Sequence, residues 1–147
     1  MRIEKRQVTD QPLTVIIEYP EWNTSVENLV RKIQKMDIRF FGKTDDRSVN
    51  IGISDIYYIE NVERKLFIYT RDEVFRCDGS MAEFEDKTTG TDMVRISRTC
   101  IMNTSYLKEI RQLKNSHLEA VMENDEKLIV SRKYLGEIKK VFKREGI

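Results

Sequence analysis

From Ser48 to Val130 the chain is a succession of short runs of β-branched and aromatic residues, each closed within a few positions by polar turn residues. Val49, Ile51 and Ile53 alternate with polar neighbours. Ile56-Tyr57-Tyr58-Ile59, Leu66-Phe67-Ile68-Tyr69-Thr70, Val74-Phe75-Arg76-Cys77 and Leu128-Ile129-Val130 are compact apolar strands, and residues 107–113 and 118–123 alternate again. Runs of this length and composition, punctuated every eight to twelve residues, specify a mainly β domain. The longest run among them is Val94 to Ile101, read as one strand carrying a basic insert. Arg71-Asp72-Glu73, Asn115-Ser116-His117 and Asn124-Asp125 supply turns.

Helical periodicity is confined to three places. Val26, Leu29, Val30 and Ile33 recur at helical spacing, with Thr24 or Ser25 as the N-cap, so a helix is expected to about Lys35. Ser80 to Lys87 is a short helix with Ser80 as N-cap and Glu83 at the capping-box position. Tyr134 to Arg144 closes the chain as a helix whose stripe is Leu135, Ile138, Val141 and Phe142. Residues 12–19 read as a strand closed by Pro20, and Ile38 to Phe41 as another closed by Gly42. Residues 1–44 are thus expected to form a small strand–helix–strand extension, a possible dimerisation unit, ahead of a β domain over 45–147.

Composition narrows the function classes. The 147 residues fit one domain with an extension, and 39% hydrophobic residues suffice for a core. No run approaches the ~20 apolar residues that span a membrane. The N-terminus is charged with no apolar segment behind it, so a cytoplasmic protein is expected. Cys77 and Cys100 form no metal-ligand cluster and are expected to remain reduced and buried, with a redox-sensing role the alternative. His117, the single histidine, has no partners with which to complete a zinc set, and Glu83 and Glu85 sit in an acidic patch that reads as solvated surface. Neither a Gly-rich phosphate loop nor a nucleophile constellation is present, so no enzyme, metal or cofactor is expected. Net charge is only +1, but residues 126–144 carry seven Lys/Arg against two acids, enough for one basic end to neutralise several phosphates.

Two segments carry nucleic-acid chemistry. Met93 to Asn103 packs Arg95, Ser97, Arg98 and Thr99 into an apolar frame, and residues 126–134 repeat the pattern as an apolar run followed by Ser131-Arg132-Lys133. Arg, Ser, Thr and Asn bind phosphate oxygens and base edges. Arg132, at a strand end, can offer its fork to guanine, or can serve merely as a surface residue beside the final helix. If the strand through Arg95 stays regular, Arg95, Ser97 and Thr99 face one way and Arg98 the other; Arg98 is then the best contact, and Arg95 a contact or a structural hydrogen-bonder.

From about Val49 to Val141 the sequence resembles the LytTR DNA-binding domain of bacterial transcription regulators. Four pieces in order carry the resemblance: Ser54 to Glu60, Arg64 to Thr70, Val94 to Asn103, and Leu128 to Tyr134. It implies an elongated stack of small antiparallel sheets with a short helix, in which loops enter successive major grooves. It implies base contacts from Arg132 and Arg64. Backbone contacts would come from Lys65, Arg95, Ser97, Arg98, Thr99, Ser131 and Lys133. Asn103 also matches, although an Asn closing a strand is more often a turn former. The implied function is sequence-specific binding of double-stranded DNA, as direct repeats, by a homodimer, with a regulatory membrane protein as a possible partner. The receiver domain that many members carry has no room in the first 44 residues, so phosphorylation control is not expected. The alternatives are a β-rich interaction adaptor using its basic end and, more remotely, a hydrolase or nuclease using the acidic patch.

Overall fold

The structure is a computed structural model that describes residues 1–114 and 117–145. Among the described residues, ten strands form two antiparallel sheets. The larger contains β1 (Arg39–Lys43), β2 (Ser48–Gly52), β3 (Tyr58–Val62), β4 (Lys65–Tyr69), β5 (Val74–Cys77), β6 (Met93–Ser97) and β7 (Cys100–Asn103), in the order β2-β1-β5-β4-β3-β7-β6. The smaller contains β8 (Leu107–Gln112), β9 (Leu118–Met122) and β10 (Lys127–Val130), in the order β10-β9-β8. The described residues also form three α-helices, α1 (Thr24–Lys35), α2 (Met81–Lys87) and α3 (Leu135–Glu145), and short 3-10 turns. The mainly β, antiparallel architecture expected from the short runs is therefore present.

The large sheet buries both its faces around β3 and β7, because successive residues of a strand point to opposite sides. Ile59 and Ile101 enter one core, with Leu66, Ile68, Phe75 and Phe84 of α2. Their neighbours Tyr58, Cys100 and Met102 enter a second core, which the small sheet closes with Ala120, Met122 and Val130, and α3 with Ile138. Two-sided burial explains why these strands read as nearly continuous apolar runs. Across the second core, Tyr58 and Tyr69 stack with ring centroids 4.2 Å apart, as expected of cross-strand partners in register. Asn103 is buried and structural: its Nδ2 donates to Ile56 O at 2.8 Å and its Oδ1 accepts from the Ser105 N–H at 3.0 Å. The Ser80 cap of α2 forms as expected, with Oγ accepting from the Glu83 N–H at 3.1 Å.

Three expectations are corrected. Residues 12–19 take neither helix nor strand, because β propensity without a neighbouring strand leaves the backbone unpaired. The strand expected at Ile38 to Phe41 is present as β1, but it pairs with β2 and β5 inside the large sheet, so there is no separate strand–helix–strand unit. Phe40, with 2% of its surface exposed, anchors β1 in the first core. Finally, Val94 to Ile101 is a hairpin, β6 and β7 around Arg98 and Thr99, rather than one strand. A smaller difference is that Asn23, rather than Thr24 or Ser25, caps α1, accepting from the Val26 N–H at 3.0 Å. The Asn115-Ser116 part of one expected turn, and the side chains of Val141, Phe142, Lys143 and Arg144, lie outside the described residues.

Candidate nucleic-acid interface

The three basic segments meet at one end of the large sheet. The β3–β4 hairpin register, Val62 opposite Lys65, leaves Glu63 and Arg64 as a two-residue turn. Both have positive φ, 51° and 67°, as the twist of a two-residue hairpin demands. Arg64 and Lys65 are exposed at this tip. β7 pairs with β3 so that Cys100 lies opposite Glu60, which places the Arg98-Thr99 turn at the same end. The Asn61 N–H donates to Thr99 O at 2.8 Å and ties the two turns together.

The third segment arrives from the other sheet. β10 ends at Val130, and the Ser131 N–H donates to Ile96 O at 2.8 Å, closing the free edge of β6. A 3-10 turn over Arg132–Tyr134 follows and leads into α3. Arg132 and Lys133 are exposed and Ser131 is half-buried. Sequence-distant residues 64–65, 97–99 and 131–133 are thus presented side by side on turns of a rigid frame, the arrangement by which loops carry binding function.

Within this end the residues divide by role. Arg98 and Thr99 are exposed at the turn. The turn is built by a register shift between Arg95 and Ser97 and by Ser97 Oγ, which accepts from the Thr99 N–H at 3.2 Å. Arg95 holds it from beneath: Nε donates to Ser97 O at 2.8 Å and Nη2 to Arg98 O at 2.6 Å, while Nη1 pairs with the Glu85 carboxylate. The Arg95 side chain is only 17% exposed and lies over the Tyr134 ring, 5.8 Å from its centroid. Lys133 approaches the same ring, at 5.6 Å. Arg95 therefore couples α2, the β6–β7 turn and the Ser131–Tyr134 segment. Its partners Glu85 and Tyr134, and the linking backbone of Asn61, carry no local sequence signal for these roles; a side chain ten residues away on another element is found only by folding.

Behind the exposed cations, the half-buried Glu60 and the two buried thiols have shifted titration. Burial, and then the Glu126 carboxylate, raise the Glu60 carboxyl above its ordinary value. The thiol of Cys100, directly opposite Glu60, is pushed up by burial first and by Glu60 second. Cys77 is pushed up to about 11 by burial and then by Asp78. Both sulfurs are buried and protonated at neutral pH, which makes them structural rather than reactive thiols. Among the described residues there is no group of His, Cys, Asp and Glu able to hold a metal, His117 is exposed, and no helix is long and apolar enough to cross a membrane.

Comparison with known proteins agrees with the fold. Residues 31–143 match the family described as the LytTr DNA-binding domain. The sensory transduction protein LytT of Enterococcus faecalis is 30% identical over 95 residues, 65% of this chain and 39% of that protein. The transcriptional regulatory protein YpdB of Escherichia coli K12 is 29% identical over 98 residues, 66% of this chain and 40% of that protein. The chain thus matches about two fifths of the length of these relatives. The solved LytTr DNA-binding domain of a putative methyl-accepting/DNA response regulator from Bacillus cereus superposes with a TM-score of 0.66, covering 71% of this chain and 95% of that one at 24% identity, a likeness of fold. The family match spans more than three quarters of the sequence and includes all three basic turns, and the chain belongs to the LytTR family of DNA-binding domains.

Proposed function

We propose that this chain is a sequence-specific, double-stranded DNA-binding transcription regulator that reads major grooves through its turns. The observation that carries the reading is the meeting of residues 64–65, 97–99 and 131–133 at one sheet end. Arg132 and Arg64 are assigned to base edges, where a forked guanidinium suits guanine. Lys65, Ser97, Arg98, Thr99, Ser131 and Lys133 are assigned to phosphates, which set the register but carry no sequence information. Arg95 acts on DNA through the turn it holds, since three of its donors are already engaged. A homodimer on direct repeats follows from the family's habit.

Selection from a random duplex pool at two salt concentrations, for the wild type, Arg132→Ala and Arg64→Ala, tests the assignment. The expected result is an enriched repeated motif in which each variant loses preference at particular base pairs. Unchanged enrichment in a variant removes that arginine from base reading. If nothing is enriched at either salt, DNA recognition is rejected and the basic end is better explained as a surface for an acidic protein.

A further inference from the structure

The N-terminal segment and one sheet edge leave complementary needs unfilled. Residues 13–19, Leu-Thr-Val-Ile-Ile-Glu-Tyr, lie between Pro12 and Pro20 and are rich in strand formers, yet take no secondary structure. Leu13 is 98% exposed, Val15 59% and Ile16 81%, three exposed apolar side chains within four residues. The large sheet, meanwhile, ends at β2, whose outer edge has no strand partner among the described residues.

Free edges are normally blunted by lysine, proline, a bulge or a cover. The other edges here are. β6 is closed by Ser131 and the turn after it, and β10 lies along β6. β8 carries Lys108 and Arg111 and a register irregularity after Leu107. β2, Ser-Val-Asn-Ile-Gly, has none of these devices and keeps an unbroken five-residue register with β1. Its register is regular, and Ser48 to Asn50 are exposed or half-buried, while Ile51 and Gly52 are buried.

We propose that residues 13–17 of one copy add as a strand to the outer edge of β2 in a second copy, and reciprocally, giving a two-fold homodimer. Every copy carries both the unpaired strand and the unpaired edge, so a second copy satisfies both at once through main-chain hydrogen bonds, the mode of strand addition. This deepens the homodimer reading and is independent of DNA binding.

The test uses the full chain. Single cysteines are placed at Thr14→Cys, Val15→Cys or Ile16→Cys in one population and at Asn50→Cys, an exposed β2 position, in another; the native thiols are buried. Mixing under mild oxidation is expected to give disulfide-linked pairs containing one chain of each kind. Sedimentation is expected to show a monomer–dimer equilibrium that Val15→Lys and Asn50→Lys each weaken about tenfold or more, as loss of one strand's fit would. Both sites are exposed, so unchanged circular dichroism certifies the fold. The proposal is overturned by a monomer at every concentration, by disulfides that form only within a doubly substituted chain, by links only between two N-terminal segments, or by a dimer indifferent to both lysines. Retention of DNA binding in any of these cases keeps the regulator reading while rejecting strand exchange.

Discussion

The β6–β7 turn shows how much one side chain decides. Arg95 makes three hydrogen bonds that a lysine cannot reproduce, because only a planar fork reaches Ser97 O, Arg98 O and Glu85 together. Arg95→Lys keeps the charge, yet is expected to lower stability by about 1–3 kcal/mol, the cost of unmet partly buried partners, and to weaken DNA binding with it. Arg98→Ala is expected to leave denaturant midpoints nearly unchanged while lowering the salt slope of binding by about 0.9, the signature of one lost phosphate contact. Chemical denaturation and binding titrations at several salts separate the two. Glu60 gives a pH prediction. Its carboxyl is raised in the folded state by burial and then by Glu126, so between the ordinary and the raised value the folded chain binds more proton than the unfolded chain. Stability therefore falls as pH rises from the ordinary carboxylate value of 4.5 through the raised folded value. Glu60→Gln should remove that decline and raise the melting temperature at neutral pH. An unaltered pH profile of melting for the variant would assign the acid to solvent.

At the scale of the element, hairpins and close strand approaches set the geometry of the candidate interface. Glu63 and Arg64 adopt left-handed backbone that β-carbon-bearing residues avoid, and the pairing of β3 with β4 holds them there. Glu63→Asn should relieve strain by about 0.5–1 kcal/mol without touching Arg64, the proposed base reader, measurable as a higher unfolding midpoint with unchanged sequence preference. Gly42 makes the opposite point. A Cβ there would lie 2.5 Å from Phe75 Cβ and 2.6 Å from Ile51 Cδ1, so Gly42→Ala should destabilise by about 1–3 kcal/mol as β1 is forced away from its core. The hairpin at Arg98-Thr99 was not legible in sequence, because neither residue is a turn former and the β-rich flanks read through it. The turn exists because Arg95 and Ser97 bond its backbone, a tertiary and local effect that composition does not encode.

For the whole molecule, the salt dependence of DNA affinity should report how many of the gathered cations meet phosphate. The double variant Arg98→Ala, Lys133→Ala is expected to reduce the slope by about 1.8, with additivity showing that the two turns engage one duplex together. A slope unchanged from the wild type would place both residues off the DNA. The sequence by itself determined most of the strands, the short helices with the Ser80 cap, the basic segments and the family, because strand periodicity, capping and turn chemistry act over a few neighbouring residues. The tertiary structure decided the rest: that β1 joins the large sheet, that Val94 to Ile101 folds back as a hairpin, that residues 12–19 stay unpaired, and that three basic segments share one end. Each depends on which strand a backbone edge meets. That is fixed by hydrogen-bond register and two-sided core packing between residues far apart in the chain, and no local pattern of propensity carries it.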